Sequence, residues 1–167
     1  MSTPKTAARS VKVADEVWIA TALLHRERPD RTEFTVAEIV ARAEREHVEG
    51  RLRPGVYVHA QRHCVANLPA DPARYRMLFA TGKSTRRLFR PGDACDPQRE
   101  RGKTAPVSDE IPARYRALVD WYHQEYTKQS RRPTVKDPLM SARAAGRHLA
   151  GVEHPDEDVR RLRESWS

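Results

Sequence analysis

Cysteine is scarce in this chain, with only Cys64 and Cys95 among 167 residues. Two thiols cannot form the disulfide framework that staples small secreted domains, so a reducing, cytoplasmic setting is the expectation. Long apolar runs are missing as well, none approaching the ~18 residues that cross a bilayer, so no membrane association is expected. The opening MSTPKTAARSVKVADE has no apolar stretch ahead of a cleavage site and carries no mark of secretion. Catalytic signatures are lacking too: there is no glycine-rich phosphate loop, no HExxH, no GxSxG and no paired-carboxylate nuclease pattern. The sequence therefore offers no catalytic residue and calls for no cofactor. Apolar residues make up 38% of the chain and charged residues 32%, enough for one modest core with part of the chain outside it.

What the chain has in excess is positive charge. Lys and Arg number 31 against 23 Asp and Glu, a formal +8, which points to a polyanionic partner and first of all to double-stranded DNA. The excess is uneven. Residues 1–52 hold nine basic and nine acidic side chains, and residues 134–167 hold six of each. Residues 53–93 hold eight basic side chains against Asp71 and Asp93, so three quarters of the excess falls in one short stretch.

Periodicity supplies the elements. Val13, Val17, Ile19, Ala20, Leu23 and Leu24 recur at helical spacing up to Pro29, predicting a first helix with one buried face. Thr35 and Glu38 form a capping box, in which the threonine oxygen accepts an orphan amide and the glutamate reaches back to the cap. A second helix therefore starts there, with Val36, Ile39, Val40 and Ala43 as its stripe and Gly50 suiting its stop. Pro54 opens a third helix that Pro69 and Pro72 bound. Alternation at Tyr75–Phe79 and Arg86–Arg90 about Thr81-Gly82-Lys83-Ser84-Thr85 predicts a hairpin.

The expected fold class is α+β, mainly helical: a winged helix-turn-helix of three helices and a β-hairpin wing, followed by an extra helix and an extended helical tail. Residues 1–10 read as a flexible N-terminus, 11–93 as the winged domain and 94–110 as an extended connector. Residues 111–128 read as a further helix, 129–138 as a linker and 139–167 as a partner-binding tail. Ile111, Tyr115, Leu118 and Tyr122 make an apolar seam, from which a homodimer through this helix is expected.

The third helix would lie in the major groove, with Val56, Ala60 and Cys64 facing the core. That turns Val58, Gln61, Arg62 and parts of Tyr57 and His59 outward. Gln61 and Arg62 are the base readers, because a carboxamide pairs two-fold with adenine and a guanidinium with guanine. Lys83, Ser84, Thr85, Arg86 and Arg87 at the wing tip suit phosphate or minor-groove contact, and Arg53 and Arg76 are further DNA-binding candidates, with about five phosphate contacts in all. His59 and His63 share a helix face and, with Cys64 and Cys95, are zinc-ligand types. The thiols, however, belong to a core stripe and a connector, so no metal is expected.

Two resemblances add to this. The stretch from Val17 to Asp93, with Arg53-Pro54-Gly55-Val56-Tyr57, His63-Cys64-Val65-Ala66-Asn67 and Arg74-Tyr75-Arg76-Met77-Leu78, resembles a bacterial and archaeal family of winged-helix DNA-binding domains. The segment carrying Asp137-Pro138-Leu139 and Glu153-His154-Pro155-Asp156-Glu157 through Trp166 is similar to the tails of VapB-type antitoxins. That likeness implies a type II antitoxin and repressor whose tail neutralises a PIN-domain ribonuclease. Most such antitoxins carry a smaller DNA-binding domain than this chain. Leu139, Met140, Leu149, Val159, Leu162 and Trp166 would anchor the tail on the toxin, and Arg143 and Arg147 would reach its acidic metal pocket. The alternative is a winged-helix regulator or specificity module with no toxin partner.

Overall fold

A computed structural model describes residues 10–70 and 72–129 of the protein. The expected N-terminal arm therefore lies outside the described residues except at Ser10. So do the linker beyond Gln129 and the whole of the tail, with Leu139, Met140, Arg143, Arg147, Leu149, Val159, Leu162 and Trp166.

Helix α1 (Val13–Glu27) is the axle of the fold, with eleven of its 15 residues buried where the spacing predicted one buried face. The physical reason lies in its small residues. Ala14, Ala20, Thr21 and Ala22 let neighbours approach on the sides that a simple amphipathic helix leaves wet, and Thr21 hides its hydroxyl by donating to the Val17 carbonyl. Elements α2, α3, β3 and α4, defined below, all pack on it.

After α1, a two-residue strand β1 (Phe34–Thr35) runs directly into α2 (Val36–Glu46). The predicted capping box is present: the Glu38 amide donates to Thr35 Oγ1 at 3.1 Å, and the Thr35 amide donates to Glu38 Oε2 at 2.8 Å. Arg31 adds a two-pronged contact to the same carboxylate, at 2.6 and 3.0 Å, which holds its pKa down to about 2. The helix ends at His47 in the left-handed region, φ 49°.

The third helix is shorter than predicted. It comprises α3 (Gly55–Val58) and a π-helical turn over His59–His63, closed by the Cys64 amide donating to the His59 carbonyl. The hairpin consists of β2 (Leu78–Ala80) and β3 (Thr85–Leu88). The unpredicted β1 joins it, giving an antiparallel sheet in the order β1-β3-β2 with Phe34 opposite Arg86 and Leu78 opposite Leu88. Phe34, Leu78 and Leu88 are fully buried against α1, which fixes the face this small sheet turns inward.

Residues 94–129 correct two expectations. The connector is not an open spacer but a strap with short 3₁₀ turns at Pro97–Arg99, Ser108–Glu110 and Ala113–Tyr115. A side chain at Gly102 would come within 1.7 Å of the Arg74 carbonyl, so the strap lies flat on the domain there. Lys103 pins it further, its ammonium 2.7 Å from the buried Asp15. Helix α4 (Arg116–Trp121) then continues through a π-helical turn, Tyr122–Tyr126, into α5 (Thr127–Gln129).

The seam of Ile111, Tyr115, Leu118 and Tyr122, expected to pair two chains, is turned inward and at most 4% exposed. Tyr122 meets Trp18 edge-on at 5.6 Å and donates its hydroxyl to the Phe89 carbonyl, while Tyr126 donates to the Leu88 carbonyl. Burial of the aromatic bodies stabilises by about 1.5–3 kcal/mol each, and these hydrogen bonds remove the cost of hiding the phenols. The fold among the described residues is α+β, with four principal helices and one small antiparallel sheet. Among the described residues, no helix is long and apolar enough to cross a membrane.

Candidate nucleic-acid interface

The turn between α2 and α3 is set by the left-handed His47 and Gly50 and then anchored by Arg53. Arg53 donates to Glu16 Oε2 at 2.9 and 2.6 Å and to the Val11 carbonyl at 2.8 Å, which ties the start of α3 to the start of α1. Its expected role on phosphate is corrected by that geometry: the guanidinium is already engaged with a buried carboxylate.

Along α3 and its π turn, Val56, Ala60 and Cys64 are fully buried, as their spacing predicted. Burial pushes the Cys64 thiol far above its ordinary range, so it is a small apolar filler and no nucleophile. The opposite face presents Tyr57, 56% exposed, Val58, 41% exposed, the exposed Arg62 and the half-buried Gln61. His59 belongs to neither face. Its Nδ1 bonds the Gly55 carbonyl at 2.9 Å, its ring meets His63 at 5.0 Å, and the residue is half-buried. Partial burial lowers its pKa and keeps it neutral at pH 7. Among the described residues, no three His, Cys, Asp or Glu side chains gather around a point where a metal could sit.

The turn linking β2 to β3 exposes Thr81, Gly82, Lys83 and Ser84. Thr85 is half-buried and its Oγ1 accepts the Thr81 hydroxyl at 2.8 Å. Arg86, expected at the tip on phosphate, is instead 2% exposed. Its Nε and Nη2 donate to the Ala60 and Gln61 carbonyls, and its Nη1 to those of Gly82 and Thr85. One guanidinium thus bolts the hairpin turn to the C-terminal end of the third helix. Carbonyls there carry partial negative charge, which makes that end a natural place for a cation.

Arg87 is also spoken for, paired with Asp93 at 2.7 and 2.8 Å and lying 4.4 Å over Phe79. Arg76 donates to the Gly102 carbonyl and leans on Phe89. Of the eight basic side chains in 53–93, Arg62, Arg74 and Lys83 are exposed. The local charge excess read from the sequence is therefore largely structural, and the expected five phosphate contacts shrink accordingly.

A second buried cation escaped the sequence reading altogether. Arg99 is fully enclosed and donates to the carbonyls of Arg62, His63, Leu68, Pro69 and Tyr75 at 2.6–3.0 Å. With Arg86 it caps four successive carbonyls, 60 to 63, where the π turn leaves the ordinary helical ladder. The exposed strip of α3 is thus held at a fixed attitude to the hairpin turn. Comparison with known protein families, with curated proteins and with solved structures finds no match for this chain.

Proposed function

We propose that the chain is a duplex-DNA-binding repressor of the winged helix-turn-helix type, with the third helix in the major groove and the 81–84 turn against neighbouring phosphates. The order helix, strand, two helices, hairpin, with the first strand added beside β3, supports that reading, since it sets a wing next to a helix-turn-helix. One observation carries it: Tyr57, Val58, Gln61 and Arg62 form a strip open to solvent on a helix whose other side is buried and whose end is bolted to the wing through Arg86. A strip with a guanidinium, a carboxamide and an apolar edge has the donors, acceptors and methyl contact that base edges require. Two copies on a palindromic operator belong to the same proposal, through a surface other than the buried 111–122 seam.

The proposal extends to a type II toxin–antitoxin module, in which residues 139–167 neutralise a PIN-type ribonuclease. The likeness of that segment to VapB-type tails supports this extension. The test has two arms. Selection of duplexes from a random pool, followed by anisotropy titration, should yield a preferred site whose binding Arg62→Ala weakens by about 1–3 kcal/mol at one base position. Deleting 134–167 should leave that binding intact and abolish inhibition of the ribonuclease encoded beside the gene. A pool that never enriches would refute the DNA reading, and an intact chain that neither binds nor inhibits the neighbouring product would refute the antitoxin reading.

A further inference from the structure

A cavity of about 310 Å³ opens between the last turn of α1, the residues after β3 and the helical segment from Trp121 to Gln129. Its wall carries His25, Arg26, Arg31, Arg90, Trp121 and Tyr126, and none of the proposed DNA strip's residues line it. Donors outnumber acceptors there. Arg31 is committed to Glu38 and stacked 4.5 Å over Phe34. Arg90 has no such partner: its guanidinium lies 4.5 Å over the Tyr126 ring, and its Nε is enclosed with no hydrogen-bond acceptor among the described residues. Arg26 is exposed and likewise has no ion pair among the described residues.

His25 adds a third donor. Its Nε2 accepts the Leu88 amide at 3.3 Å, which in the neutral ring leaves the proton on Nδ1, and no described residue accepts it. Burial lowers its pKa to about 3, so the ring stays neutral at pH 7. The wall holds a single carboxylate, Glu125. The Trp121 and Tyr126 rings, 5.5 Å apart, supply an apolar side.

We propose that this cavity binds a small aromatic carboxylate, its oxygens accepting from Arg90 and Arg26, and its ring lying against Trp121. The volume stands at the small end of ordinary ligand sites and takes one or two rings. Two guanidiniums with no ion pair among the described residues, facing one glutamate, balance a single negative charge better than a phosphate dianion, and the aromatic wall rewards a planar apolar body. An occupant would also brace β3, because His25 and Tyr126 hold the two backbone groups of Leu88, N–H and C=O.

The test is calorimetric titration of the full chain with benzoate, 1-naphthoate and uncharged benzamide. The expected result is saturable benzoate binding with a Kd on the order of 1 mM, naphthoate roughly tenfold tighter, and benzamide at least about tenfold weaker than benzoate. At ten times the naphthoate Kd, the Tm should rise by about 5 °C. Arg90→Gln and Arg26→Gln should each weaken naphthoate at least about fivefold, with Arg45→Gln, on α2, unchanged. Arg26 is exposed, so its variant keeps the test sharp even where Arg90→Gln disturbs folding. Benzamide binding as well as benzoate would overturn the proposal. So would no saturation by about 20 mM of either acid, or affinity indifferent to Arg26→Gln.

Discussion

Arg99→Ala removes one guanidinium and leaves five backbone carbonyls, those of Arg62, His63, Leu68, Pro69 and Tyr75, without their donor. A hydrogen bond from a charged group contributes roughly 1.5–3 kcal/mol, which would overstate the total if simply multiplied. Two effects reduce it. Burial already pulls the Arg99 pKa below its ordinary value, the signature of a charge that gave up hydration on folding. Arg62 and Pro69 are exposed residues, where water can replace the lost donor. Three bonds lost at about 1–1.3 kcal/mol net leave about 3–4 kcal/mol. For a folded unit of about 120 residues, where 1 kcal/mol moves the midpoint by about 4 °C, the Tm should fall by roughly 12–16 °C. Arg99→Lys should recover about half, since an ammonium has three donors and no planar fork. The control is Arg101→Ala, exposed two residues on, which should stay within about 0.5 kcal/mol. Urea unfolding followed by circular dichroism reads all three, with m unchanged. A loss below about 1 kcal/mol for Arg99→Ala, or equal losses at 99 and 101, would refute the carbonyl-clamp account.

With Arg62, Arg74 and Lys83 as the exposed cations of 53–93, about three phosphate contacts should give a log–log salt slope near −3 in anisotropy titrations, and a slope of −5 or steeper would contradict the burial of the others. Arg86→Ala should lower stability by about 2–3 kcal/mol in thermal melts, whereas a mere phosphate contact would leave the melt unchanged. His25 has a folded pKa of about 3 against an ordinary 6.5, so the unfolded chain takes up the proton first. Its contribution is complete above pH 6.5 and declines by about 1.4 kcal/mol per pH unit as the pH falls toward 3, a slope that His25→Gln should flatten in pH-dependent melts. Leu118→Glu should cost more than about 3 kcal/mol in the melt, because the position is 2% exposed in the chain's own core; an unaltered melt with a lower mass by light scattering would restore the seam as a dimer contact.

Local signals were legible. Thr35 and Glu38 state their capping box within four residues, and Val56, Ala60 and Cys64 show their shared face by spacing alone. Arg86 had a signal that charge counting masked: strand parity puts it on the same side as Leu88, hence inward. Arg99 had none, because its partners lie 24 to 37 residues away and its neighbours Glu100 and Arg101 read as a solvated charge run. The seam at 111–122 was visible as apolar, but periodicity cannot say which surface receives it, and the alanines of α1 that make room for it look like ordinary helix formers. At the candidate interface, the strip on α3 was readable and the fate of the hairpin cations was not, since pairing with carbonyls and Asp93 is a tertiary event.

The enclosure of α1 on every side sets an order of events at the ribosome. Trp18, Ile19 and Leu24 emerge early, yet Tyr122 and Tyr126, which close over the helix, follow about 100 residues later, some 5–20 s at ordinary synthesis rates. Over that interval the nascent chain shows a helix apolar on several faces, the kind of surface that holdase chaperones recognise. A gene fragment stopped at Asp93 would hold the chain in that state, because the residues that cover this side of α1, Tyr122 and Tyr126 among them, would never follow.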